Sequence, residues 1–595
     1  MKLRNKPYYV TDRKVIVDYS SIFCDTTAGL LSSEIFSEIT RRFVQRIVEK
    51  QDSAYEFLIH GFPGKSPDQM ADSLIHVFRL LATHNYREII SIAPEYRNIL
   101  ENPVRLTELK DTLYNFWLRL ERISFMEVPP RDTEIDSDLH YAQFVKANED
   151  LRNLVLQTQR LISSNLMGSP RVFRQLPSFA NLSMLVRKID WDCPRKLEFL
   201  AHIPFVRNTL IFPPLILYPA ANTRKGTFSP LGKAPSPSML GVDPGEWFCF
   251  PAKVGDLLAF IYFHREFSAL ALSMANLFEI AGKDEIKKGR PDTVVLFGVN
   301  PEAVPQKTGY FYMKEAGIYL GLAARLEELE YFGYFKKITL TLHNLEIMRR
   351  GHLPVHGAMV NIALKDGGQA NVVIIGDSGA GKSETLEALR TLAEDHIRGM
   401  KIIFDDMGSL RIKEDGQVYG YGTETGAFVR LDDLSPGYAY EQIERSVFMN
   451  PQMKNARLVL PITDYEHIVK GYPVDIIVYA NNYDRLDGKN PALEFFTTPA
   501  EALRVFSTGA RLAKGTTDET GHVRTYFANP FGAVQEKANH AKIAAKTFAA
   551  LFKAGARVGQ VRTQLGIPGF EMEGPRAASL ALFDAIRAMA DFPPC

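Results

Sequence analysis

The stretch Asn371-Val-Val-Ile-Ile-Gly376-Asp377-Ser378-Gly379-Ala380-Gly381-Lys382-Ser383-Glu384 runs from an apolar segment into a glycine-rich loop. Val372 to Ile375 has the composition of a parallel strand buried on both faces. A helical pattern, Thr385, Leu386 and Leu389, follows the loop. Gly376 to Ser383 therefore reads G-x-x-x-x-G-K-[ST] between strand and helix, the context in which this pattern binds phosphate. Glycine takes positive φ without steric cost, so the backbone can fold round phosphate oxygens. The loop N–H groups and the helix N-terminus then face the anion. Lys382 is expected at the β- and γ-phosphates of a nucleoside triphosphate, and Ser383 at a Mg²⁺ ion.

Outward from this loop the pattern is α/β from about Gly351 onward. His352-Leu-Pro-Val-His356-Gly leads into an alternating stretch, Ala358 to Leu364, and Lys365-Asp-Gly-Gly turns into the P-loop strand. Lys401-Ile-Ile-Phe404 reads as the next strand, ending in Asp405-Asp406. One carboxylate there suits the nucleotide metal; a second can hold another cation or act as a base. His356 stands a hairpin's length before the P-loop, beside the γ-phosphate or packed in the core. By spacing alone, Lys336-Lys337 suits an exposed edge strand, and Arg457 reads as a surface charge. Val474 to Tyr479 is a further strand; Ala538 to Ala556 and Ala577 to Ala590 are helices.

Upstream, residues 32–163 read as mostly helical. Ile35, Phe36, Ile39, Phe43 and Ile47 form one stripe after a Ser32-Ser33 cap. Leu109, Leu113, Phe116 and Leu120 form another, and Leu151, Leu154, Val155 and Ile162 a third. Gly64-Lys65-Ser66-Pro67-Asp68 could touch phosphate, and a helix start with Pro at its first position explains it as well. The composition changes near Asn208. Thr223 to Gly245, rich in Gly, Pro, Ser and Lys, predicts a long loop of the kind that is often functional. Ala259 to Ala281 predicts a buried helix, Thr293 to Phe297 a strand, and Ile338-Thr-Leu-Thr-Leu342 a half-buried strand.

The 595 residues predict two to four domains. A net charge of +1 gives no bulk electrostatic case for nucleic acid or a membrane surface. Cys24, Cys193, Cys249 and Cys595 are too scattered for a CxxC metal site or a disulfide framework. Neither an apolar leader after Met1 nor an 18-residue apolar run is present in the sequence. The expectation is a cytoplasmic protein.

Taken together these segments resemble the phosphoenolpyruvate carboxykinase superfamily, which includes HPr kinase/phosphorylase. Tyr331-Phe-Gly-Tyr-Phe-Lys336-Lys337 followed by His356 is similar to the carboxykinase segment carrying a tyrosine, a metal-binding lysine and a metal-binding histidine. Val355-His356-Gly357 and the Ser383-Glu384 end of the P-loop are closer to HPr kinase. Glu424-Thr-Gly-Ala-Phe-Val-Arg430 resembles a Glu-Gly-Gly segment ending in a basic nucleotide-contacting residue. Asn455-Ala-Arg457, Phe506 to Ala513 and Tyr526 to Gly532 resemble later blocks in order. The likeness covers about residues 208–595.

The expected fold is mixed α/β in three parts: a helical extension over 1–200, which lies outside the likeness, and, as the resemblance implies, a carboxykinase-like α/β domain over 201–350 and a P-loop nucleotide- and metal-binding domain over 351–595. The resemblance also implies that Gly376 to Ser383 and Arg430 bind ATP. Ser383 and Asp405 would hold Mg²⁺, and Lys337, His356 and Asp406 a second ion, Mn²⁺, with the lysine neutral. Arg457, with Lys382, would stabilise charge on the transferring phosphoryl group. Two departures stand out. Phe228-Ser229-Pro230 has Phe where the family's substrate-gripping arginine belongs, with Arg224 or Lys225 as replacements. Glu571-Met-Glu573 is acidic where the family is basic near the nucleotide base. The leading expectation is conversion of oxaloacetate and ATP to phosphoenolpyruvate. The alternatives are a kinase for a protein hydroxyl or another small molecule, with His356 or Asp406 as base, and a nucleotide-dependent scaffold whose N-terminal helices bind a protein partner.

Overall fold

The structure, a computed structural model, describes residues 7–19, 24–51, 54–128, 134–168, 179–365, 368–377, 379–392, 397–431, 443–514 and 520–590. Ser378, the turn residues Asp366 and Gly367, and Cys595 lie outside the described residues. Two large sheets, of twelve and eight strands, and one of four organise a mixed α/β protein. Among the described residues no helix is long and apolar enough to cross a membrane.

The helices expected before residue 163 are present. Ser33 caps Glu34–Lys50 through its side chain, and Ser66 and Gln69 form a capping box ahead of Pro67–Leu81. Pro103–Arg119 and Glu134–Met167 follow. The first 200 residues are nevertheless not a helical extension. Lys14–Asp18, Glu121–Val128 and Leu182–Arg187 are strands paired in parallel. Through Phe205–Ile211 they continue the sheet formed by Trp247–Val254, Leu257–His264, Thr293–Val299 and Ile318–Ala324. These strands are short and buried on both faces, so they lack alternation and are overshadowed by the long amphipathic stripes between them.

Two further expectations fail for a related reason. Ala259 to Ala281 is not one helix: Leu257–His264 is a strand parallel to Thr293–Val299, followed by the short helix Ser268–Ser273. A uniformly apolar run does not tell strand from helix by periodicity. Ile338 to Leu342 is not a strand but the middle of the helix Phe332–Arg349. That helix is buried all round, Thr339 and Thr341 included, so its Ile-Thr-Leu-Thr-Leu alternation reports no solvent face.

In the eight-stranded sheet the P-loop strand Gln369–Ile375 lies centrally. It is antiparallel to Leu353–Leu364 and parallel to Ile476–Asn481. Its side chains alternate between two cores, as pleating requires. Val372 and Ile374 pack with Leu386 and Leu389 of the helix Lys382–Leu392 and with Leu582 and Ile586 of the helix Glu573–Ala590. Val373 and Ile375 belong to the largest core, with Phe548 and Leu551 of Lys537–Lys553 and Leu345 of Phe332–Arg349. The central strand is thus clamped between helices, and the loop at its carboxyl end has a rigid base.

Candidate active site

The P-loop is held from three sides. Gly379 and Gly381 take φ of 76° and 92°, where a side chain is strained. A Cβ on Gly381 would also lie 2.6 Å from Thr563 Oγ1. Thr563 Oγ1 donates to the Ala380 carbonyl at 2.7 Å, and Asn482 Nδ2 donates to the Gly379 carbonyl at 2.9 Å. Arg511 Nε donates to the Asp377 carboxylate at 3.1 Å. Lys382 Nζ donates to the Gly376 and Asp377 carbonyls at 2.7 and 3.2 Å. Ser383, the second residue of its helix, is exposed.

Asp405 and Asp406 do not end their strand, as the sequence suggested, but lie within Ile397–Ile412. Asp406 has φ of 118°, a conformation that persists only where the surroundings over-determine it. It faces Gly357 in the ladder, where a Cβ would lie 2.3 Å from the Ile374 carbonyl oxygen. Its side chain is held from two sides: His356 Nε2 lies 2.9 Å from Oδ1, and Lys336 Nζ lies 2.5 Å from Oδ2. Lys336 Nζ is also 3.1 Å from Glu424 Oε1. That approach is a charge contact, because neither Glu424 oxygen makes a hydrogen bond of good geometry.

The four groups divide the charge unequally. Burial pushes the Asp406 carboxyl up, but Lys336 and His356 outweigh it and hold the group well below the usual carboxylate range. About a third of the Asp406 side chain still meets solvent (32%). Glu424 is 1% exposed, and burial pushes it up to about 8, with Lys336 opposing only in part. Burial also raises Asp405, against the opposing charge of Lys382. Burial opposes the Lys336 ammonium, yet Asp406 and Glu424 raise its pKa overall.

His356 is oriented from behind. Its Nδ1 contacts the Ala528 carbonyl, which can only accept, so Nδ1 carries a hydrogen; the ionised Asp406 carboxylate at 2.9 Å from Nε2 accepts too, so Nε2 donates to it. Phe527, Ala528 and Asn529 all have φ between 50° and 60°. This strained turn presents the carbonyl.

Lys337 takes a different place from the one expected. The Asp406 ion pair is made by Lys336, while Lys337 lies beside Arg224 and 6.0 Å from the Phe531 ring centroid. Burial, then the Arg224 charge, lowers its pKa to about 8. The Arg224 guanidinium is 5.4 Å from the same ring, and Asp406 and Arg457 are among its electrostatic neighbours. Its loop is tied down on both flanks. Asn455 Nδ2 donates to the Asn222 carbonyl at 2.7 Å, and the Lys225 N–H donates to Tyr334 Oη at 2.7 Å. Phe228, by contrast, is buried against Tyr310 and is a core side chain. Arg457 lies opposite Arg430 between the strands Gly426–Arg430 and Arg457–Pro461. Its Nε is buried without an acceptor.

Among the described residues no three His, Cys, Asp or Glu side chains group as a metal site. The donors that do converge are His356 Nε2 and Asp406 Oδ1, with Lys336 on the other Asp406 oxygen. Imidazole and carboxylate suit Mn²⁺ or Mg²⁺. An ion bound between them would displace the hydrogen that Nε2 gives Asp406, while the Ala528 carbonyl on Nδ1 keeps the ring oriented.

Lys336, Glu424, Asn482, Arg511 and Thr563 are the site residues that sequence reasoning missed. Lys336 adjoins the lysine that was singled out, and Glu424 opens a segment already quoted. Arg511 likewise lies in a quoted segment, Phe506 to Ala513, whereas Asn482 and Thr563 lie 103 and 183 residues from the loop residues they meet and carry no local signal. Compared with known proteins, the chain matches no family model and no curated protein.

Proposed function

We propose that the chain is an ATP- and divalent-metal-dependent phosphotransferase of the phosphoenolpyruvate carboxykinase type. It would convert oxaloacetate and ATP to phosphoenolpyruvate, ADP and CO₂. One observation carries the reading: a braced P-loop, an Asp-Asp pair and a carbonyl-oriented His356 share one sheet, and Arg224 has Asp406, Arg457 and Lys337 as its charged neighbours. Loss of CO₂ leaves an enolate whose oxygen attacks the γ-phosphorus, and the bond to the β-phosphate oxygen breaks. The protein's task in such a transfer is positioning and charge stabilisation.

In this reading Lys382 leaves the Gly376 and Asp377 carbonyls for the β/γ-phosphate oxygens. Arg457, with an unused Nε, meets charge on the transferring group. Arg224 takes the substrate carboxylate that the family's missing arginine would grip. Lys337, at about 8, is neutral in part at cellular pH. Divalent ions, Mg²⁺ held by Ser383 and Asp405 and Mn²⁺ held by His356 and Asp406, would supply further neutralising charge. Glu424 and Lys336 hold Asp406 in its strained conformation.

A second reading, a kinase for a protein hydroxyl or another small molecule, is favoured by Phe228, a core side chain packed on Tyr310 where the family's substrate-gripping arginine belongs. The test is phosphoenolpyruvate formation from oxaloacetate and ATP with Mg²⁺ and Mn²⁺, beside a Lys337→Met control. Product that vanishes in the control supports the carboxykinase reading. Tight ATP binding without product refutes it and leaves the second.

A further inference from the structure

Beside the N-terminal part of the large sheet lies a partly open cavity of about 110 Å³ that the phosphotransfer reading does not use. It lies beyond the carboxyl end of Lys14–Asp18, where Val17 and Tyr19 form one wall. The helices Glu34–Lys50, Pro103–Arg119 and Glu134–Met167 supply the others, chiefly Ile39, Leu113, Leu151 and Val155. Interiors are close-packed, and voids of this size are few. A cavity lined by aliphatic and aromatic groups stays dry and accepts small apolar molecules. The carboxyl end of a parallel strand is also where open α/β sheets take their ligands.

The polar groups on the wall narrow the chemistry. Trp117 Nε1 is buried with no acceptor, and Gln159 Oε1 is buried with no donor. They sit on two different helices, both lining this cavity. Buried polar atoms are nearly always paired, so a molecule seated here would find one unmet donor and one unmet acceptor among the lining residues. Among the described residues the wall offers no free charge. Lys110 Nζ is held by Asp111 and Ser163, each at 2.6 Å. Tyr19 Oη accepts from Asn148 at 2.9 Å, and Thr158 donates to the Leu154 carbonyl at 2.9 Å.

We propose that this cavity is a binding site for a small, uncharged, mainly apolar molecule carrying one hydroxyl or primary amide. Such a group accepts from Trp117 and donates to Gln159, while a ring or short chain fills the aliphatic space. The site is independent of the nucleotide-binding domain, and its test does not depend on any catalytic assay.

The experiment uses the full chain with benzyl alcohol, toluene and benzoate as probes, followed by thermal unfolding and by the fluorescence difference between wild type and Trp117→Phe. Benzyl alcohol is expected to raise the unfolding temperature saturably and to perturb Trp117, toluene to bind more weakly, and benzoate not at all. Val155→Phe or Leu151→Phe fills the cavity. Each should fold with unchanged or higher stability and weaken benzyl alcohol by roughly tenfold or more. Gln159→Leu keeps the shape and should remove the preference for benzyl alcohol over toluene. The proposal is overturned by the absence of saturable benzyl alcohol binding, by equal binding of benzoate, or by binding unchanged in both filled variants. Failure of both filled variants to fold also overturns it, because it shows that the space is not there.

Discussion

Replacing Lys336 by Met, beside a matching Lys337→Met, separates the two neighbouring lysines by what each holds. Lys336 is 5% exposed at its side chain and stands 2.5 Å from Asp406 and 3.1 Å from Glu424. Removing one partner of a buried ion pair costs about 3–5 kcal/mol, because the remaining charge is left uncompensated. The lower end applies near pH 6, where Glu424, at about 8, is already protonated and only Asp406 loses its partner. Above pH 8 the gap should widen. Wild-type Glu424 is then ionised in both folded and unfolded states and adds no pH dependence. In the variant the unshielded carboxyl stays protonated when folded but not when unfolded. Stability then falls with rising pH by about 1.4 kcal/mol per unit. Lys337, with no ion pair to Asp406, should cost less than about 1 kcal/mol when replaced. The assay is urea unfolding of the three proteins at pH 6, 8 and 9.5 with a chelator present. Equal stability of Lys336→Met and wild type, or a gap that does not grow above pH 8, would refute the assignment of Lys336 as the counter-ion of the pair.

Gly381→Ala forces a side chain onto φ of 92° and against Thr563. The left-handed conformation alone costs about 1–2 kcal/mol, so ATP affinity measured by calorimetry should fall roughly tenfold or more while the fold persists by circular dichroism. Arg224→Ala should raise the KM for an anionic acceptor by roughly 10- to 100-fold, the worth of one hydrogen bond to a charged group, and leave that for ATP nearly unchanged. Steady-state kinetics in both substrates decide it. Lys337, lowered to about 8 by burial and by Arg224, should react with an amine-selective acylating reagent near pH 8 faster than the exposed lysines. Mass spectrometry of partially labelled protein checks the order, and Arg224→Ala should slow the reaction at Lys337 by restoring a higher pKa.

What could be read in advance follows from how far apart in sequence the cause and the effect lie. The P-loop was legible because strand, loop and helix are contiguous and each residue type has a local reason. His356 was legible only as a candidate. Its role depends on the Ala528 carbonyl, 172 residues away, and no spacing predicts a turn of three left-handed residues in Phe527-Ala-Asn529. Arg511 and Thr563 brace the loop from 134 and 183 residues away, and in sequence they are an ordinary strand arginine and a loop threonine. The N-terminal strands were missed for the opposite reason. They are local, but burial on both faces removes the alternation by which a strand is recognised.

The lysine pair shows the limit most clearly. In sequence Lys336 and Lys337 are equivalent, and family likeness points to the second. On a helix, adjacent residues sit about 100° apart, so two neighbouring lysines must face different surroundings. One meets two carboxylates and the other meets a guanidinium. Carboxylates keep the first protonated and structural. A guanidinium makes the second a weaker base, with an accessible neutral amine. The same helix therefore supplies a fixed cation that holds Asp406 in its strained conformation and an amine able to give a lone pair, and one residue of register decides which is which.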